Sequence, residues 1–215
     1  MQAQVKAKRA KMEAMLPNID TLVADNIRIL KTPQARLPKP TAIILVGFPG
    51  TGKTTLVEEL VRTYPVAVIS DEAMGHFLLP YQATFLKHSQ KEFLELAAAT
   101  MEKLIFSRVS CIYDSNVKFA DDRKIIKQLV EQAGGRLITV YLKLSKEEAL
   151  RRVEQENFLV SRGEKKGFII NKDLFDYEAS TTQLPTAGED YLLYEQTNPD
   201  SLLALKDQIA IKTRP

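Results

Sequence analysis

Apolar residues in this chain follow two patterns that alternate along its length. Five short runs, at about 42–46, 66–69, 109–113, 137–142 and 191–194, are nearly continuous in Val, Ile, Leu, Ala or Tyr and are bounded by polar or turn-forming residues. Runs of that length and β-branched content predict strands buried on both faces. Between them, apolar positions recur every three or four residues, as in helices with one buried stripe. Leu56, Val57, Leu60 and Val61 mark one such helix, and Phe93, Leu96, Ala97, Thr100 and Leu104 mark a long one over about 89–107. Ile125, Ile126, Leu129 and Val130 mark a third over 120–133, which Gly134-Gly135 closes. Ser145-x-x-Glu148 is a capping box that opens a fourth, and further helices are expected near 171–180 and from about Pro199.

Strand and helix alternating in this way predict an α/β fold: three layers around a five-stranded parallel sheet. Upstream, residues 3–16 read as a weakly amphipathic helix broken by Pro17-Asn18. A second helix over 19–30 carries Ile19, Leu22, Val23, Ile27 and Leu30 on one stripe and is expected to dock on the core. Pro33, Pro38 and Pro40 then make an extended connector. The organisation expected is therefore a helical appendage over 1–40 and one domain over 41–215. The stretch 73–88, with His76, Pro80, Tyr81 and His88, reads as irregular.

Composition narrows the class without changing this outline. With 215 residues, 45% of them apolar and 27% charged, the chain is long enough for one sizeable domain but not two. No run approaches the ~20 apolar residues that span a bilayer, so a cytoplasmic location is expected. The single cysteine, Cys111, lies in an apolar run and reads as core packing. The net charge of +3 is uneven: residues 1–40 carry +5 and the remainder −2. That basic segment lacks interleaved aromatics, so nucleic acid is possible as a partner but not favoured, and a protein partner through residues 1–40 is also possible.

The chemistry centres on Gly47-Phe48-Pro49-Gly50-Thr51-Gly52-Lys53-Thr54-Thr55, which fits G-x-x-x-x-G-K-[ST] between a strand and a helix. Its glycines let backbone N–H groups turn inward on a phosphate, at the positive end of the helix dipole. Lys53 is expected on the β and γ phosphates, and the Thr54 hydroxyl on Mg²⁺. Two strands end in carboxylates, Ser70-Asp71-Glu72 and Asp114-Ser115-Asn116, and strand ends of a parallel sheet face the ligand. Asp114 reads as the Walker B metal ligand. His76 and His88 lack a metal-like constellation. From Asn157 to Gly167, Arg162, Lys165 and Lys166 gather around the hinge-like Gly163 and Gly167, and the stretch reads as a mobile lid.

The ordered set GFPGTGKTT, VAVISDE, CIYDSN with Arg123 following, TVYLKLSKEEALRRV, and a Leu-Pro-Thr-x-x-Glu-Asp-Tyr ending resembles the P-loop small-molecule and polynucleotide kinase family. That family takes in phage polynucleotide kinase, chloramphenicol phosphotransferase and zeta-toxin-like kinases. The resemblance covers about 41–210. It implies that Asp71 is the general base or orienting carboxylate for an acceptor hydroxyl, and that Asp114 with Asn116 lies in the metal and acceptor region. It implies too that Arg152 neutralises charge on the transferring phosphoryl, with Arg123 and Arg162 as weaker candidates.

Two departures stand out. Met74 occupies the position where kinases of nucleic-acid ends carry an arginine, and the lid is longer than the compact family version. The expectation is an ATP- and Mg²⁺-dependent kinase of a small-molecule hydroxyl. The alternatives are a polynucleotide 5′-hydroxyl kinase and a zeta-toxin-like kinase or nucleotide-dependent switch.

Overall fold

The computed structural model describes residues 19–78, 89–165 and 167–214. The helix expected at 3–16, with Pro17-Asn18, lies outside the described residues, as do residues 79–88, including Pro80, Tyr81 and His88, and the lid's Lys166. The elements run α1 (Ile19–Ile29), β1 (Thr41–Val46), α2 (Lys53–Thr63), β2 (Ala67–Ser70), α3 (Asp71–Leu78), α4 (Ser89–Phe106) and β3 (Cys111–Asn116). They continue through α5 (Ala120–Gln132), β4 (Arg136–Lys143), α6 (Lys146–Ser161), α7 (Lys172–Thr181), β5 (Tyr191–Glu195) and α8 (Ser201–Lys212).

The five strands form one sheet in the order β2-β3-β1-β4-β5, and every pairing is parallel. Side chains alternate across it, as the pleat requires. Ala42 and Ile44 of β1 join Ile69, Cys111 and Tyr113 in a core packed by α1, α4 and α5. Ile43 and Leu45 join Ile112, Val140 and Leu142 in a second core packed by α2 and α8. All six residues of β1 are buried, which places this strand at the centre and explains its continuous apolar run. The α1 stripe contributes Ile19, Leu22 and Val23 to the first core, and the buried Asn26 side chain donates to the Thr100 hydroxyl at 3.0 Å.

Three expectations are corrected. The stretch from 73 is helical at its start, because the Ser70 hydroxyl accepts from the Ala73 N–H at 3.2 Å and so caps α3. The third strand begins at Cys111 rather than 109 and runs through Asn116. The chain first has to turn through Arg108 in the left-handed region, with Val109 N–H bonded to the Leu104 carbonyl. The basic stretch expected as a loop from 157 is helical through Ser161, where α6 ends. Its start keeps half of the expected capping box: Ser145 Oγ accepts from the Glu148 N–H, while the Glu148 carboxylate turns to Arg151 and Arg152.

Among the described residues, no helix is long and apolar enough to cross a membrane.

Candidate functional site

The central strand delivers the chain directly into the glycine-rich loop. Gly50 (φ 81°) and Gly52 (φ 77°) both lie in the left-handed region, so the loop needs glycine at these turns. Gly47 is constrained by space instead: a Cβ there would lie 2.7 Å from Thr51 Oγ1 and 3.1 Å from the Leu142 carbonyl oxygen. Thr51 closes the loop on itself, its hydroxyl donating to the Phe48 carbonyl at 2.8 Å. The Lys53 ammonium donates to the carbonyls of Gly47 and Phe48 at 3.0 Å each, wrapped over the loop it serves. Burial pulls its pKa down to about 8, with Asp114 and Glu178 opposing that fall.

Two carboxylates line the same cleft as this loop, Asp114 on β3 and Asp71 directly after β2. Asp114 accepts from the Thr54 hydroxyl at 3.1 Å, which brings a hydroxyl and a carboxylate oxygen together beside Lys53. Desolvation raises the Asp114 pKa, with Asp71 adding to the rise, while the Thr54 hydroxyl and Lys53 work against it. Asp71 begins α3 directly after β2, where the helix dipole favours its charge. Its Oδ1 accepts from the Tyr113 hydroxyl at 2.5 Å and its Oδ2 from the Ser115 hydroxyl at 2.7 Å. Burial raises its pKa, and those two donors counter the rise. The Asn116 side chain accepts from the Gly47 N–H at 3.2 Å and donates to the Thr182 hydroxyl at 3.0 Å, tying the phosphate loop to the end of α7.

Lys53, Thr54, Asp71, Asp114, Asn116 and Arg152 line one cleft of about 1280 Å³ at the carboxyl ends of the strands. Arg152, on α6, is bonded to Glu148 and to Gln196, and Gln196 packs against Gly52. Lys165, which also lines the cleft, is paired with Glu156 at 2.7 Å. Arg162 and Arg123 are placed elsewhere. Arg162 pairs with Glu164 and stacks on the Phe158 ring at 5.4 Å. Arg123 is buried, with two 2.7 Å bonds to the Glu189 carboxylate and a third to the Val117 carbonyl, so its charge braces the segment before β5.

A family model, the AAA domain AAA_33, matches residues 43–159, more than half of the chain. The chain belongs to this AAA domain family. No curated protein matches the sequence. Kti12 from Chaetomium thermophilum, solved with ADP-AlF3, superposes with a TM-score of 0.63 at 17% identity over 81% of this chain and 100% of that one. A gluconokinase from Sinorhizobium meliloti 1021 gives a TM-score of 0.55 at 17% identity, covering 83% of this chain and 97% of that chain. The PezAT toxin-antitoxin system of Streptococcus pneumoniae gives 0.56 at 17%, covering 91% and 94%. The AAA domain thus has the P-loop NTPase fold, shared with structures that include kinases.

The residues of this AAA domain suit a nucleotide with a hard cation. The positive-φ glycines and the packed Gly47 leave backbone where a side chain would otherwise stand. Thr54 and Asp114 present oxygen donors only. Among the described residues no group of three or more His, Cys, Asp or Glu side chains is gathered to hold a metal. Mg²⁺ on a triphosphate needs no such group, since one or two protein oxygens and the phosphates suffice. Sequence reasoning missed Tyr113, Ser115, Lys118, Glu178 and Gln196. The first two were readable, because they flank Asp114 at the alternate positions of one strand. The Lys118–Glu178 pair joins residues 60 apart and Gln196 follows β5, so no local pattern announces them.

Proposed function

We propose that this AAA domain protein is an ATP-dependent kinase that transfers the γ-phosphoryl group to a hydroxyl of a small-molecule acceptor. The observation that carries this reading is the pair of carboxylates across from the Lys53 loop. Asp114 stands with Thr54 on the donor side, and Asp71 is held separately by β3 hydroxyls in the same cleft.

Each role follows from chemistry and position. The loop from Gly47 to Thr55 holds the ATP phosphates, and Lys53 exchanges its two carbonyl partners for β and γ oxygens. Thr54 and Asp114 would hold Mg²⁺, directly or through water, and the cation would neutralise charge on the phosphates. Asp71 accepts the proton of the acceptor hydroxyl as that oxygen bonds to the γ-phosphorus. The bond to the β–γ bridging oxygen breaks, and ADP leaves with the electron pair. Arg152 faces the equatorial oxygens of the transferring group, where negative charge spreads in the transition state. Catalysis of this kind is positioning and electrostatics, which a preformed cleft supplies. ATP use of this kind accords with a cytoplasmic location.

A small acceptor is favoured over a nucleic-acid end by Met74. That side chain is fully buried in the core beside Asp71, and it presents no cation to an acceptor phosphate.

The test is γ-labelled ATP incubated with sugars, sugar acids, amino alcohols and nucleosides, with products read by mass spectrometry. Asp71→Asn is expected to retain ATP binding and lose transfer, whereas Lys53→Ala loses both. Transfer at the wild-type rate by Asp71→Asn would remove Asp71 from the mechanism.

A further inference from the structure

Tyr113 has an almost fully buried ring, packed in the core with Ile69, Met74 and Leu96. A phenylalanine would fill that space equally well, so the hydroxyl needs its own explanation. It donates to one oxygen of Asp71, and the Ser115 hydroxyl donates to the other.

The strand builds this arrangement. β2 pairs in register with β3 through Ser70 and Asp114, which brings Asp71, the next residue, to the end of β3. On its other side β3 pairs Tyr113 with Ile44 and then Asn116 with Leu45, so Asp114 and Ser115 have no counterparts in β1. This bulge keeps Tyr113 and Ser115 on the α3 side while Asp114 turns to Thr54. One strand therefore separates two carboxylates of like charge into two tasks.

We propose that Tyr113 and Ser115 are positioning residues that clamp the Asp71 carboxylate, one hydroxyl on each oxygen, in the orientation that receives the proton of an alcohol acceptor; this rests on the kinase reading above. A carboxylate oxygen accepts more than one hydrogen bond, so the clamp leaves acceptor capacity on both oxygens for the incoming hydroxyl. With two donors already bound, rotation of the carboxylate breaks both bonds. The acceptor thus meets a fixed target, and a displacement of about 1 Å at a reacting group is enough to cost about a hundredfold in rate. The nucleophile must bring a proton to give. That fits an alcohol, and it sets Asp71 against an anionic nucleophile, which would meet both Asp71 and Asp114.

The clamp is tested in the full chain with Tyr113→Phe, Ser115→Ala and Ser115→Thr, using ATP and whichever member of the acceptor panel is phosphorylated fastest. Removal of either hydroxyl is expected to lower kcat about tenfold while the KM for ATP stays within twofold, because both hydroxyls are bonded to Asp71 and neither residue belongs to the phosphate loop. Ser115→Thr keeps a hydroxyl and is expected to restore most of the rate. Melting midpoints of the variants show that each is folded, and Ser115→Ala decides the matter if Tyr113→Phe is not. Unchanged kcat in both deletion variants, a change confined to the KM for ATP, or a Ser115→Thr variant as slow as Ser115→Ala overturns the clamp while leaving the kinase reading in place. A wild-type protein that phosphorylates nothing in the panel overturns both.

Discussion

At the scale of single residues, Lys53 carries a pH dependence whose sign is fixed by its burial. Desolvation brings its pKa from 10.5 to about 8 in the nucleotide-free protein, so above about pH 8 the side chain is largely neutral. Bound phosphates favour the ammonium, so nucleotide binding above that pH must draw a proton from solution. Affinity for ADP is therefore expected to fall as pH rises from about 8 towards 10, and this group contributes no change below about 7. Calorimetric titrations at pH 7 and 9, in buffers of different ionisation enthalpy, read the proton uptake directly, and equal uptake at both values would contradict the assignment. Gly50 offers a second test. An alanine there would face both a left-handed backbone (φ 81°) and overlap with the Ala149 carbonyl, whereas Gly134, at φ 86°, has nothing within 4 Å of a Cβ. Gly134→Ala is expected to cost about 1–2 kcal/mol in stability, the left-handed penalty alone. Gly50→Ala should cost more and weaken ADP binding by displacing α6 from the loop. Chemical denaturation of the two variants makes the comparison.

At the scale of elements, the legible parts of the chain were those whose pattern is local. β1 with its glycine loop, the α5 stripe ending at Gly134 and the Ser145 cap all follow from neighbouring residues, and each stands where the spacing put it. The start of α3 was missed because its apolar stripe is brief and its cap, Ser70, belongs to the preceding strand. The α7 contacts were illegible for another reason, since they are made across the fold. Lys118, just after β3, is buried against Glu178 of α7 at 3.1 Å, and its ammonium lies 5.1 Å from the centre of the Tyr177 ring and 5.5 Å from that of Phe119. Gln183 adds a bond from its N–H to the Lys118 carbonyl and accepts from the Ala120 N–H. Lys118→Ala removes the cation beside a buried carboxylate and is expected to destabilise the protein by about 3 kcal/mol. Lys118→Met keeps the packed stem and is expected to lose less. Denaturant midpoints of the two variants check the order.

At the scale of the whole molecule, the parallel sheet was readable because alternation of strand and helix admits few architectures, whereas the strand order and the company α1 keeps were not. An amphipathic stripe says that a helix is covered on one side and leaves open what covers it. In the fold, Ile19, Leu22 and Val23 of α1 lie in the same core as Ile44, Ile69 and Tyr113, and Asn26 reaches Thr100 of α4. That core also holds the Tyr113 ring behind Asp71, so α1 is linked through packing to the Asp71 side of the cleft. Three buried aliphatic side chains are worth about 1.5–3 kcal/mol each, a sum comparable with the entire stability of a domain this size. A chain beginning at residue 41, after the proline connector, is therefore expected to lose cooperative melting or to melt far below the full chain. A chain beginning at residue 19 retains these contacts and serves as the comparison. Saturating ADP raises the melting midpoint of whichever form still folds, because it binds only the native state. A chain from 41 that melts within a few degrees of the full protein and responds equally to ADP would show that the core closes without α1.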